Sequence, residues 1–280
     1  MKLIVMGDLH YSSLDESMPE LEQVHTAYYS KLIERFLEQE ADYHISLGDL
    51  TNLGSKSELA EIYELIGRWN RRFIQVLGNH DLNVQSRADV LAQTGQLRYH
   101  RIETDEVMLA FLDTARDQDL LNWGGFVDEE QLAWLEETVV ASGNKPLLVF
   151  AHHPVYKTTV GSEEVMGSID PDIDMWRALN RKEGVGVYFN GHTHNESIAV
   201  KDNWTFVQMA ACLDVPAFRI VQVEAEEIVI STSEALDKEI TEGPAVLCAH
   251  MNHFSLNTFA RGQESDLGTR VPLKNRTGSL

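Results

Sequence analysis

In this 280-residue chain Asp, Asn and His residues recur immediately after short apolar runs, and that placement constrains the fold more than any other feature. Leu3 to Met6 leads into Gly7-Asp8-Leu9-His10, Tyr43 to Leu47 into Gly48-Asp49, and Phe73 to Leu77 into Gly78-Asn79-His80-Asp81. Leu147 to Phe150 precedes His152-His153-Pro154, and Val185 to Phe189 precedes Gly191-His192-Thr193-His194. Runs of four to six apolar residues bounded by turn residues predict strands. Side chains just beyond the ends of neighbouring strands can converge at one edge of a sheet. Glycine beside such a residue suits a sharp turn or a close backbone approach.

Between the strands lie amphipathic stretches, which together predict an α/β domain. Leu21, Val24, Tyr28, Leu32 and Phe36 recur at helical spacing, with Pro19 near the start and Ser17 to Glu20 spaced as a capping box. Ser55 to Glu58 repeats that spacing ahead of Leu59, Ile62, Ile66 and Trp69. After Asp81 regularity weakens until a strand over Val107 to Leu112; Asp128 then opens a helix with Leu132, Leu135 and Val139 facing inward, and a further helix is expected near Asp172 to Arg181. Short strands near 197–201, 204–209, 217–223 and 227–232 predict an antiparallel or mixed second half. The expected domain covers residues 1–235. Residues 236–280 read as an extension, partly docked and partly loose, in which the apolar run Ala245 to Met251 has no evident partner.

Composition excludes several functions. With 23 basic and 44 acidic residues the formal net charge is −21, which opposes a broad nucleic-acid surface. Two cysteines, Cys212 and Cys248, make neither a disulfide framework nor a zinc cluster. The apolar run near the N-terminus is too short for a signal-peptide core or a membrane span, and a cytoplasmic location is expected.

Any one of the five fragments occurs by chance in many proteins, but the ordered set resembles the blocks of the calcineurin-like metallophosphoesterases over about residues 1 to 200. His10, the pair His152-His153 before Pro154, and Asp113-Thr114 with the later Gly125, Gln131, Trp134 and Leu135 are similar to the class III cyclic-nucleotide phosphodiesterase branch. Leu50 to Leu53 follow Asp49, so the tyrosine ligand of purple acid phosphatases has no counterpart there. The resemblance implies a four-layer α/β/β/α sandwich of two mixed β-sheets flanked by helices. It implies Asp8, His10 and His194 as ligands of one divalent metal, Asn79, His152 and His192 as ligands of a second, and Asp49 as the bridge. Alternate positions of an extended segment point the same way, so Asp8 with His10, and His192 with His194, can reach one site together. Imidazole, carboxylate and amide oxygen suit manganese, iron or zinc.

The implied reaction is hydrolysis of a small phosphodiester, of cyclic-nucleotide or glycerophosphodiester type, by a metal-bridging hydroxide. His80 is placed beside the phosphate, with Asp81 expected to hold its tautomer. A phosphomonoesterase, a nuclease and a non-catalytic scaffold of the same fold are the rivals. Loops 11–18, 82–96, 114–127 and 154–171 would shape the substrate site, with Tyr11, Asn122, Trp123, Tyr156 and Lys157 as candidate contacts. His25, His44 and His100 read as core or surface residues, and His250 and His253 have no partner block.

Overall fold

The computed structural model describes residues 1–13 and 19–273. Its elements are β1 (Lys2–Met6), α1 (Pro19–Leu37), β2 (Tyr43–Ser46), α2 (Lys56–Gly67), β3 (Phe73–Gln75), α3 (Arg87–Thr94), β4 (His100–Glu103), β5 (Met108–Phe111) and α4 (Glu129–Ser142). Then come β6 (Leu147–Phe150), α5 (Met175–Leu179), β7 (Gly186–Asn190), β8 (Ser197–Lys201), β9 (Trp204–Gln208), β10 (Ala217–Val223), β11 (Glu227–Glu234), α6 (Lys238–Leu247) and β12 (Gly268–Pro272). One sheet has the order β12-β11-β10-β1-β2-β3 and the other β4-β5-β6-β7-β9-β8. Each is mixed. Strands β1 to β3 are parallel and β10 joins β1 antiparallel; β5, β6, β7 and β9 are parallel, with β4 and β8 antiparallel at the edges.

The two-residue period of a strand divides each sheet between two cores. From β1, Leu3 and Val5 point between the sheets, where they meet Phe111, Phe150 and Phe189; Ile4 and Met6 point the other way, onto Tyr28, Leu32 and Phe36 of α1. In the second sheet Leu109 and Leu148 face the sandwich, whereas Ala110 and Val149 face Leu132, Leu135 and Val139 of α4. The layers are therefore helix, sheet, sheet, helix. Across β5, β6 and β7 the register pairs Phe111 with Phe150 and Phe150 with Phe189. Their rings stack at centroid separations of 5.1 and 5.0 Å.

The capping box at Ser55 and Glu58 forms as expected, while that at Ser17 and Glu20 lies outside the described residues. Two elements depart from expectation within the span read as irregular: α3 and β4. Only Val90 of α3 is buried and β4 is an edge strand of alternating exposure, so neither carries an apolar stripe strong enough to read. The run from Ala245 is not partnerless. Ala245 to Leu247 close α6, whose Ile240 and Leu247 pack with Tyr28 of α1; Pro244 within the helix masks its pattern. Residues 268–272 are a strand paired to β11, and the buried Arg219 ties the turn before it by donating to the carbonyls of Asp266 and Leu267 at 2.7 Å each. Among the described residues no helix is long and apolar enough to cross a membrane.

Phe150 is fully buried between two rings. Its replacement by Ala is expected to cost about 3–5 kcal/mol in urea unfolding. Phe259→Ala, at a side chain 87% exposed, is expected to stay within about 0.5 kcal/mol.

Candidate metal centre

The C-terminal ends of β1, β2 and β3 from one sheet and of β6 and β7 from the other meet at one seam. Asp8, His10, Asp49 and His152 are buried there, and Asn79, His192 and His194 half-buried. Backbone bonds bind the seam across the sandwich: His192 N–H donates to Asp8 Oδ2 at 2.9 Å. His152 Nδ1 donates to the Leu47 carbonyl at 2.9 Å. Close approach is required, because a methyl group on Gly191 would overlap Asp8 Oδ1 and one on Gly78 would overlap Asp49 Oδ1.

The side chains fall into two groups about Asp49. In the first, His194 Nε2 lies 3.2 Å from Asp8 Oδ2 and 3.1 Å from His10 Nε2, which is 3.9 Å from Asp49 Oδ2. In the second, Asn79 Oδ1 lies 3.0 Å from His152 Nε2 and 3.1 Å from His192 Nδ1, while His152 Nε2 is 3.3 Å from Asp49 Oδ2. Extended alternation does not produce this arrangement. His10, Asp49, His192 and His194 have φ of 51°, 46°, 73° and 53°, so the chain turns left-handed beyond the strand ends, and His192 and His194 point into different groups.

Proton bookkeeping shows what the second group is built for. The carbonyls of Leu47 and Met166 can only accept, so His152 Nδ1 and His192 Nε2 carry the protons that bond to them at 2.9 and 2.8 Å. Their other nitrogens then face each other as lone pairs at 3.2 Å, with the Asn79 oxygen between them. In the first group Asp8 Oδ1 is buried without a hydrogen-bond partner. With both imidazoles neutral, the second group has no donor among its converging lone pairs, an arrangement that suits a cation. The donor set of imidazole, carboxylate and amide oxygen thus fits a divalent transition metal in each group.

Protons compete for the same positions. Burial disfavours charge on His152, but Asp49 and Asp8 outweigh it and push its pKa up to about 9. Burial opposes charge on His194 as well, yet Asp214 and Asp8 lift it to about 10. Burial and the neighbouring His152 push His192 down to about 4. Burial would raise Asp49, but the imidazoles of His152 and His80 hold it well below the usual carboxylate range.

His80 borders the cavity, its backbone N–H on Asp49 Oδ1 at 2.8 Å and its Nδ1 on the Asn52 carbonyl at 2.7 Å. That carbonyl fixes the proton on Nδ1 and leaves Nε2 for exchange. Asp81 does not do so, contrary to expectation. Its carboxylate accepts from the N–H groups of Thr51 at 2.9 Å and Gly78 at 3.0 Å, and so clamps the two loops that carry Asp49 and Asn79. Burial and the charge of Asp49 push its pKa up to about 6. His153 is held between Thr114 Oγ1 and the Trp123 carbonyl at 2.9 Å each, behind His192.

Of the expected loop contacts, Trp123 lines the cavity. Tyr11 is buried on Glu61, Asn122 caps its own turn, and Lys157 lies over Tyr156 and near Glu163. His25, His44 and His100 bond or stack away from the centre. Sequence reading missed Asp119, Glu164 and Met166 in the lining, and His253, which comes from beyond α6. It also missed Asp214, whose Oδ2 stands 3.4 Å from His194 Nδ1. No local motif marks these residues.

A sequence model of the family described as calcineurin-like phosphoesterase matches residues 1–196. The chain is 25% identical over 206 residues to a probable cyclic nucleotide phosphodiesterase of Rhodopseudomonas palustris, covering 69% of this chain and 72% of that protein. It is 25% identical over 204 residues to a probable glycerophosphodiester phosphodiesterase of Arcobacter nitrofigilis, covering 70% and 73%. The fold is shared with a purple acid phosphatase from yellow lupin seeds, at a TM-score of 0.54 and 13% identity, over 86% of this chain and 52% of that one.

Because the folded pKa of His194 lies above its ordinary 6.5, its stabilising charge is fully present below pH 6.5 and lost as pH rises through about 10. The same holds for His152 up to about 9. In the metal-stripped protein, NMR is expected to show two imidazoles still protonated at pH 8. Added divalent metal is expected to displace both protons.

Proposed function

The chain belongs to the calcineurin-like phosphoesterase family, and on that premise we propose that it is a two-metal phosphodiesterase acting on a small diester of cyclic-nucleotide or glycerophosphodiester type. The observation that carries this reading is the convergence of imidazole, carboxylate and amide groups in two sets about Asp49, beside a cavity of about 430 Å³. Asp8, His10 and His194 would hold one ion, Asn79, His152 and His192 the other, and Asp49 both. Manganese, iron and zinc suit these donors. Bound there, two divalent ions supply Lewis-acid stabilisation of phosphate oxygens and acidify water for in-line attack.

The chain's own groups do the rest. The carbonyls of Leu47 and Met166 aim the imidazoles of His152 and His192 inward. His80, held through Nδ1 by Asn52, presents Nε2 as the proton carrier for the leaving oxygen. Asp81 keeps the loops of Asp49 and Asn79 in register.

The lining favours a diester over a monoester. Beyond the ligand groups it brings Asn83, Asp119, Leu120, Trp123, Glu164 and Val165, and no Lys or Arg among the described residues. A diester carries one negative charge at neutral pH, whereas a monoester carries up to two, and Asp119 and Glu164 disfavour the second. The names of the two curated relatives point the same way. The net charge of −21 speaks against a nuclease on duplex DNA. A cytoplasmic location is part of the proposal and is supported by Cys212 and Cys248 both being free thiols.

Protein reconstituted with Mn²⁺ or Zn²⁺ is expected to hydrolyse bis(p-nitrophenyl) phosphate with a higher kcat/KM than p-nitrophenyl phosphate. The reverse order would assign a monoesterase, and fewer than one bound ion per chain with no hydrolysis would assign a scaffold. Asp49→Ala is expected to lower occupancy of both ions. His80→Ala is expected to keep them while kcat falls by about 10²- to 10⁴-fold; metal analysis beside steady-state kinetics separates the two.

A further inference from the structure

His194 is held from behind by residues that no strand-end motif contains. Asp214 sits in the turn between β9 and β10, and that turn is pinned to the end of β1 by Cys212 N–H donating to the Asp8 carbonyl at 2.8 Å. The Asp214 side chain is fully buried. Its Oδ1 accepts from Asn257 N–H at 2.7 Å, while Oδ2 has no hydrogen-bond partner and faces His194 Nδ1 at 3.4 Å. A buried carboxylate serving only the fold is expected to have both oxygens satisfied. Here one oxygen is kept for an imidazole whose other nitrogen looks at Asp8 and His10.

Asn257 completes the arrangement from the segment after α6. Its side-chain amide donates to the His194 carbonyl at 3.0 Å and to Asn195 Oδ1 at 3.2 Å, and its own Oδ1 accepts from Phe259 N–H at 3.0 Å. His194 has a left-handed φ of 53°, a conformation that costs free energy in a non-glycine residue and persists only where its surroundings hold it. Phe254 lies against the rings of His194 and His10 at 5.3 and 4.8 Å. On the far side Asn52, the residue that carries His80, donates through Nδ2 to the Asn252 carbonyl at 2.8 Å.

We propose that Asp214 and Asn257 are positioning residues for His194: Asp214 takes the Nδ1–H and turns Nε2 toward the ion of the first group, and Asn257 locks both the carboxylate and the His194 backbone. The segment 252–259, outside the residues that the family match covers, is thereby part of the metal centre. Paired carboxylates of this kind raise ligand basicity and fix the ring, and their loss weakens metal binding by about 10- to 100-fold. The inference rests on the two-metal reading.

Calorimetric titration of the full-length, metal-stripped chain with Mn²⁺, with its melting temperature recorded before metal is added, tests it. In Asp214→Asn and in Asn257→Ala one of two binding events is expected to weaken by about 10- to 100-fold and the other to stay unchanged, with the metal-free variants still folded at the titration temperature although they melt below the parent. Asp214→Glu is expected to recover part of the loss. Should Asp214→Asn fail to fold, Asn257→Ala, which leaves the carboxylate in place, decides the matter. Unchanged affinities in the variants, equal weakening of both events, or unfolding of both variants without metal would overturn the assignment. A parent chain that takes up fewer than two ions would instead overturn the two-metal reading itself.

Discussion

At the seam where two sheets end together, carboxylate, imidazole and amide acceptors gather that the backbone satisfies only in part. A fold ordinarily buries acceptors against donors, since an orphaned polar atom inside costs free energy comparable to a lost hydrogen bond. Here the backbone carbonyls of Leu47 and Met166 use up the donor nitrogens of His152 and His192, and what remains faces inward with Asn79 and Asp49. The sandwich makes this possible by keeping the parallel strands of both sheets flush at one end. Stacked Phe111, Phe150 and Phe189 hold neighbouring strands of one sheet in register, and the bond from His192 N–H to Asp8 Oδ2 fixes one sheet against the other at the site itself. Backbone strain at His10, Asp49, His192 and His194 is spent at the same seam, where the rest of the structure over-determines it.

The legible part of this molecule was the part in which chemistry and local pattern coincide. Each ligand-type residue follows a strand, and beside all of the strand ends but that of His152 a glycine announces the turn within a few positions. What was not legible depends on contacts between residues far apart in the chain. Asp214 reads as a turn residue until the fold brings His194 to it, and Asn257 sits in a polar stretch whose meaning is set by carbonyls some sixty positions earlier. Helix α6 was hidden by its own Pro244, and β12 by a Thr-Arg-Val-Pro sequence that pairs because β11 offers it an edge. Alternation does not hold at His192 and His194, because it belongs to extended chain and these residues have already left it.

Asp81 shows the same limit at short range. Adjacency to His80 suggested a carboxylate–imidazole pair, yet His80 turns its Nδ1 to the Asn52 carbonyl, and Asp81 turns away to Thr51 and Gly78. One carboxylate thus fixes the spacing of the Asp49 and Asn79 loops, while a neutral carbonyl sets the tautomer of His80.

The molecule divides its labour along the chain accordingly. Residues up to about His194 bring the donors, and the turn after β9 and the segment after α6 decide how firmly one of those donors is held and what else faces the cavity. Asn257 and Phe254 contact His194, while His253, just before Phe254, lines the cavity together with Trp123 and Glu164. A change in this segment therefore touches the hold on His194 and the wall of the cavity at once.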